Sequence, residues 1–159
     1  MSLTVRRVVT GHDRRGHAVV KIDEVCGNVV SNRPGSSSCV VWSTEGFPVD
    51  SDGDVDPTGR RIGTTIDDGT VFRVVRYEPG VTPRMHRTDS IDYAIVLSGQ
   101  VDMELDNHET VSLKAGDLVV QRGTIHAWVN RGPEPCEIAF VLVAAKPVTV
   151  DGKTLEAEG

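Results

Sequence analysis

The sequence lacks the segments that would direct it to a membrane, a secretory route or nucleic acid. No apolar run approaches the roughly 20 residues that a membrane helix needs, and the first residues do not have the parts of a secretion signal. Lysine and arginine are spread along a chain of formal net charge −6, so no basic patch is available for nucleic acid or an acidic membrane. We therefore expect a cytoplasmic protein that binds neither nucleic acid nor membrane.

Cysteine is also scarce. The chain has three cysteines, Cys26, Cys39 and Cys136, and their spacing is not that of a metal site. An odd number without such spacing favours free, mostly buried thiols in a reducing compartment.

Helical periodicity is almost absent, and strand-like alternation takes its place. Val101, Met103 and Leu105 alternate with acidic residues, which predicts a half-buried strand. Further strands are predicted at 5–9, 18–22, 39–42, 70–77, 110–114, 118–120 and 136–144, the last of them covered on both faces. Many short strands separated by glycine and proline turns indicate an all-β sandwich or barrel.

Two segments each carry a histidine between glycine-containing turns. The residues that define the first segment are Gly80, His86, Asp92 and Gly99, and those that define the second are Gly116, Gly123, His126 and Asn130. Side chains of a strand alternate between its faces, so His86, Thr88 and Asp92 are expected on one face. Two imidazoles and one carboxylate with open positions form the ligand set of many non-haem iron sites, and they also suit Mn, Ni, Cu or Zn.

The two segments resemble the two motifs of the cupin family over about residues 80–130. Thr88 stands where the family has a second histidine, Asp92 where it has glutamate, and Gln121 where it has proline. The resemblance implies an all-β double-stranded β-helix, the jelly-roll barrel of cupins, with extra N-terminal strands.

The resemblance also divides the chain into three parts within a single domain. Residues 70–147 are expected to form the cupin barrel, residues 1–69 to supply strands and loops that wrap it, and residues 148–159 to form a C-terminal tail. The segments 31–38 and 46–65 are predicted loops by composition. Sheet edges need covering, so a homodimer is expected.

The resemblance implies a divalent metal ion held by His86, Asp92 and His126, with His126 and Asp92 as the catalytic residues. A threonine hydroxyl is a poor ligand, so Thr88 is expected to hold water or substrate instead. Asp89 is an alternative carboxylate, although its position on the strand points it the other way. A structural hydrogen bond from a turn or an arginine, Arg73 among them, is the alternative role for Asp92.

Arg84, Arg122 and Trp128 complete the predicted substrate site together with Thr88. The two arginines flank the motifs and could clamp an anionic substrate. The alternative interpretation is that both arginines are ordinary surface residues and that Trp128 packs in the core.

Three functions fit these residues. The first is a metal-dependent enzyme, of decarboxylase, dioxygenase, isomerase or lyase type, acting on a small polar or aromatic organic acid. The second is a metal-free dehydratase or cyclase that uses the buried histidine and aspartate as acid and base. The third is a module that binds a small molecule without chemistry.

Overall fold

The chain is built almost entirely from β-strands. A computed structural model describes residues 2–159. The strands are β1 (Arg6–His12), β2 (Ala18–Val25), β3 (Val30–Arg33), β4 (Ser36–Glu45), β5 (Gly69–Tyr77), β6 (Ser90–Ser98), β7 (Gln100–Leu105), β8 (Thr110–Lys114), β9 (Leu118–Arg122), β10 (His126–Val129), β11 (Cys136–Ala144), β12 (Val148–Val150) and β13 (Lys153–Leu155). Within the described residues the one helical segment is a single 3-10 turn at Pro57–Gly59, so none could cross a bilayer.

Two sheets enclose the core. A six-stranded sheet has the order β3-β4-β5-β11-β6-β9, and a three-stranded sheet has the order β10-β7-β8. The main hydrophobic cluster draws side chains from both, including Val71 of β5, Met103 of β7 and Ile138 of β11. The predicted all-β jelly-roll class is therefore confirmed.

Alternation along the strands sorts side chains between this core and the outside. On β11, Ile138 and Phe140 face the core while Ala139 packs on the opposite side, so the prediction of a doubly covered strand is confirmed. On β8, Leu113 is buried, whereas Val111 is 42% exposed because β8 lies at the edge of its sheet.

The N-terminal third contributes both a separate hairpin and two strands of the main sheet. A second apolar cluster joins Leu3 and Cys26, which flank the hairpin β1-β2, to Cys39 of β4 and Ala139 of β11. The prediction of a continuous loop over 31–38 is wrong: β3 and β4 form a hairpin there, turning at Pro34-Gly35. Gly35 has φ 77°, which lets the serine-rich chain turn back and pair beside β5.

The motif glycines and asparagine fix the turns on which the barrel depends. Gly99 has φ 74°, and a side chain there would collide with the backbone carbonyl of Pro135. The Gly80 amide donates to the carbonyl of Asn130 at 2.9 Å, so the start of the first motif meets the end of the second. The Asn130 amide group donates to the Tyr77 carbonyl at 2.9 Å, which ties this junction to β5.

Candidate functional site

A cavity of about 340 Å³ lies in the barrel and gathers most of the predicted site residues. Its lining includes His86, His126, Asp92, Trp128 and Arg84. A volume of this size suits a small organic ligand.

His86 and His126 meet through their backbones and their rings. Each residue's amide donates to the other's carbonyl at 3.0 Å, although His86 lies outside the named strands. The ring centroids are 4.5 Å apart and the ring planes are inclined by 50°. The structure therefore brings together the two histidines that the sequence places in separate motifs.

Both histidine rings are held in the same tautomer. Nδ1 of His86 lies 2.9 Å from the carbonyl of Arg84, and Nδ1 of His126 lies 2.9 Å from the carbonyl of Thr124. A carbonyl only accepts, so each Nδ1 carries the proton and each Nε2 of the neutral ring keeps its lone pair. Burial lowers the pKa of His86 to about 4 and also lowers the pKa of His126, which keeps both rings neutral near pH 7.

Asp92 is a buried carboxylate held by a hydroxyl. Ser90 donates to its Oδ1 at 2.6 Å, and the hydroxyl of Thr88 lies 2.8 Å from that of Ser90. Burial raises the pKa of Asp92, against the opposing effect of the Ser90 hydrogen bond. Thr88 thus lies behind Asp92 in a hydroxyl chain and is not part of the cavity lining.

The other predicted substrate residues separate into two groups. Trp128 is 3% exposed and lines the cavity, with its ring edge-on to His126 at a centroid distance of 5.7 Å. Arg84 also lines the cavity, and it donates to the carbonyl of Gly159. Arg122 is exposed on β9 and lies outside the lining, while the backbone carbonyl of the half-buried Asp89 accepts from the amide of Ala145.

The donor set fits a metal ion only in part. Each ring is oriented by the carbonyl that its Nδ1 contacts, as metal-binding imidazoles usually are. However, no group of three His, Cys, Asp or Glu side chains within residues 2–159 lies close enough to hold a metal. The structure supplies a two-imidazole half-site, whereas catalytic zinc sites use three protein ligands.

Arg73 is a cavity residue that sequence reasoning considered only as a partner for Asp92. It projects from β5 on the same side as Val75 and Tyr77, and all three line the cavity. The sequence does contain a sign of this position. Arg73 is the charged residue among Val71, Val75 and Tyr77, the alternate residues of β5 that face inward.

Sequence comparison finds relatives along nearly the whole chain. A sequence model of the cupin domain matches residues 73–143. The phomopsin biosynthesis cluster protein C' of Diaporthe leptostromiformis is 35% identical over 96% of this chain and 85% of its own length. The cupin-domain-containing oxidoreductase fogC of Aspergillus ruber is 34% identical over 96% of this chain and 78% of its own length.

Solved structures show the same fold at low identity. The polyketide cyclase RemF from Streptomyces resistomycificus aligns with a TM-score of 0.50 at 20% identity, over 74% of this chain and 73% of its own. An RmlC-like cupin from Shewanella frigidimarina aligns with a TM-score of 0.50 at 12% identity, over 74% and 84%. At these identities the likeness concerns the barrel alone.

Proposed function

We propose that this chain, which belongs to the cupin family, is an enzyme acting on a small polar or aromatic organic acid held in the barrel cavity. The observation that carries the proposal is the convergence of His86 and His126 at that cavity, with the lone pair of each Nε2 left free. Relatives that are named as oxidoreductases and as proteins of biosynthesis clusters support an enzyme of small-molecule metabolism.

The residues of the site can bind, orient and move protons. Nε2 of His126 is a proton acceptor in a wall from which water is largely excluded, since the side chain is 2% exposed. Trp128 and Phe140 pack edge-on, with ring centroids 5.5 Å apart, and give the cavity an aromatic, apolar wall. Asp92, held by Ser90, can keep or release a proton beside them.

The proposal includes a divalent metal ion at the histidine pair. His86 and His126 would hold it through Nε2, and Asp92 is the carboxylate of the predicted ligand set. Bound there, a divalent ion supplies Lewis-acid polarisation of a carboxylate or enol oxygen.

The metal-free alternative, a dehydratase or cyclase, is favoured by one observation. Asp92 is occupied by the Ser90 hydroxyl and forms no three-residue ligand group with the histidines. Two neutral imidazoles and a buried carboxyl group with a raised pKa suffice for acid–base chemistry.

Turnover of defined acids tests the proposal. The purified chain is incubated with benzoate, hydroxybenzoates and small oxo acids, and loss of substrate is followed by proton NMR. We expect turnover that His126→Gln abolishes and that His12→Gln, a change at an exposed histidine of β1, leaves intact. Unchanged recovery of a bound acid after long incubation would instead support a binding module.

Titration of the chelator-treated chain with Fe²⁺, Mn²⁺, Ni²⁺, Zn²⁺ and Cu²⁺ tests whether the chain binds a divalent metal ion. One ion bound per chain, with binding lost in His86→Gln and kept in His12→Gln, supports the metal-dependent enzyme. Activity that survives exhaustive chelation and shows no ion binding supports the metal-free alternative.

We also propose that the chain forms a homodimer through the outer face of its six-stranded sheet. Tyr93, Ile95, Leu118 and Val120 are exposed there, and the register pairs Tyr93 with Val120 and Ile95 with Leu118. A continuous apolar face beside the edge strand β9 is the type of surface that a second copy would cover. Light scattering tests this: Leu118→Lys should give a monomer and Val55→Lys, in an exposed loop, should not, while a monomeric parent chain would contradict the proposal.

A further inference from the structure

Arg73 is half-buried, and it differs from the buried Arg7 and Arg76 because no carboxylate neutralises it. Arg7 is paired with two carboxylates, and so is Arg76. No carboxylate oxygen of residues 2–159 lies within 4.0 Å of the Arg73 guanidinium, although the residue lines the cavity. A charge that is partly withdrawn from water and has no partner is unfavourable, so an anion in the cavity would be stabilised beside Arg73.

Asp92 does not pair with Arg73, and the sheet register explains why. Arg73 of β5 pairs with Phe140 of β11, while Asp92 of β6 pairs with Leu142 of the same β11. β11 thus separates the two charges by two strand spacings of about 4.8 Å, and the two-residue offset along β11 adds about 7 Å at right angles, so their backbones lie about 12 Å apart. Asp92 contributes long-range attraction to Arg73 but takes its hydrogen bond from Ser90.

The hydrogen bonds of Arg73 hold it in position and leave donors free. Nη2 donates to the carbonyl of Gly63 at 2.5 Å, which anchors the guanidinium to the loop before β5. Nε is buried and has no partner within the described residues. Burial lowers the pKa of Arg73, yet an arginine stays charged in proteins, so its remaining N–H groups are available for an anionic ligand.

The other arginines of the cavity wall are less suited to this role. Arg33 donates to the carbonyl of Thr82 at 2.8 Å, and Arg84 donates to that of Gly159. Arg84 is also exposed to solvent, where an ion pair contributes little. Arg73 also donates to one carbonyl, but of these three arginines it is the one with a buried N–H group that lacks a partner within residues 2–159.

We propose that Arg73 is the carboxylate-binding residue of the cavity and fixes the acid group of a small organic acid. The inference rests on the proposed function and adds the residue that selects for a carboxylate. A guanidinium is a planar donor that matches the two oxygens of a carboxylate. With its acid group on β5, a planar ligand would extend past Phe140 and Trp128 toward the histidine pair.

Binding of benzoate, compared with its neutral analogue benzamide, tests the inference by calorimetry. We expect the parent chain to bind benzoate at least about tenfold more tightly than benzamide, and Arg73→Gln to lose at least about tenfold in benzoate affinity. Arg73→Lys should recover part of the loss because it restores the charge without the planar fork. Arg14→Gln, the matched control at an exposed turn outside the cavity, should bind benzoate like the parent chain.

Stability without ligand separates a binding role from a structural one. Since no carboxylate pairs with the partly buried charge of Arg73, Arg73→Gln should unfold in urea at a midpoint no lower than that of the parent. Equal benzoate affinity in Arg73→Gln and the parent chain, or no benzoate binding by the parent chain, would overturn the inference. Arg73-dependent benzoate binding in a chain that turns over no acid would leave the inference standing and defeat the proposed function.

Discussion

His86 and His126 are held in matching environments, each donating its Nδ1 proton to the carbonyl of the residue two positions earlier at 2.9 Å. Their backbones exchange two hydrogen bonds of 3.0 Å. The pairing gives both rings the same tautomer at one wall of the cavity, so the site presents two neutral acceptor nitrogens together.

The tautomers can be observed directly. In the chelator-treated chain near pH 7, nitrogen NMR should show a protonated Nδ1 and an unprotonated Nε2 for His86 and His126, because each Nδ1 faces a carbonyl. Assignment by His86→Gln and His126→Gln identifies the signals. Rings protonated at Nε2 would contradict the hydrogen bonds described here.

The histidine pair also predicts how stability depends on pH. The pKa of His86 is about 4 in the fold, and that of His126 is lowered as well, against about 6.5 in an unfolded chain. The unfolded chain therefore binds more protons in this range, and the pair costs stability progressively as the pH falls from about 6.5 toward about 4. Asp92, whose pKa is raised, acts in the opposite direction at the acidic end.

Urea unfolding of the metal-free chain at about pH 7 and about pH 5 measures this dependence. His86→Gln should lose less stability between the two pH values than the parent chain, since one of the two responsible groups is gone. His12→Gln should lose as much as the parent. An equal loss in His86→Gln and the parent would contradict the lowered pKa.

Asn130 should be important for stability rather than for chemistry. It is 1% exposed and donates to the carbonyls of Tyr77 and Glu134, while its Oδ1 accepts from the amide of Gly132. Asn130→Ala removes these three hydrogen bonds, of which the one to Tyr77 is buried, and should lower the free energy of unfolding by roughly 2–4 kcal/mol. Urea unfolding checks this, and Asn107→Ala, at an exposed turn, should cost less than about 1 kcal/mol.

The ion pair between Arg7 and Asp56 should hold the N-terminal hairpin against the loop that follows β4. Both carboxylate oxygens of Asp56 accept from the guanidinium, whose side chain is 5% exposed. Asp56→Asn should lower the free energy of unfolding by about 1–3 kcal/mol. Glu24→Gln should cost less, because Glu24 is more exposed than Asp56.

The pKa of Asp56 adds a pH signature to this comparison. Hydrogen bonding to Arg7 holds that pKa well below its ordinary value, so the contribution is present above about pH 3.8 and is lost as the pH falls below it. The urea midpoints of Asp56→Asn and the parent should therefore converge in strong acid. A difference that persists there would show that Asp56 acts through its shape and not its charge.

The chain itself predicts much of the fold because alternation is a local property. The strands around 70–77, 101–106 and 136–144 follow from side chains that must face either a core or water. The 31–38 segment misleads because serine, proline and glycine favour loops locally, yet pairing with β5 provides the hydrogen bonds that make a strand of residues 36–38.

The candidate site is likewise predictable from the sequence only in part. Its histidines and Asp92 can be found from two motifs, since glycine turns and alternation place them on the inner face. The hydroxyl chain from Thr88 to Asp92 is less predictable, because it depends on rotamers of three neighbouring side chains.

By itself the sequence determined the class of fold, the inward faces of the strands and the residues that could carry chemistry, since periodicity and turn geometry act over a few neighbouring positions. Only the tertiary structure decided that His86 and His126 exchange backbone hydrogen bonds and that Arg73 stays unpaired. These relations depend on which strands become neighbours and at what register. That choice is made by the burial of the whole core, because no short stretch of residues contains both partners of such a contact.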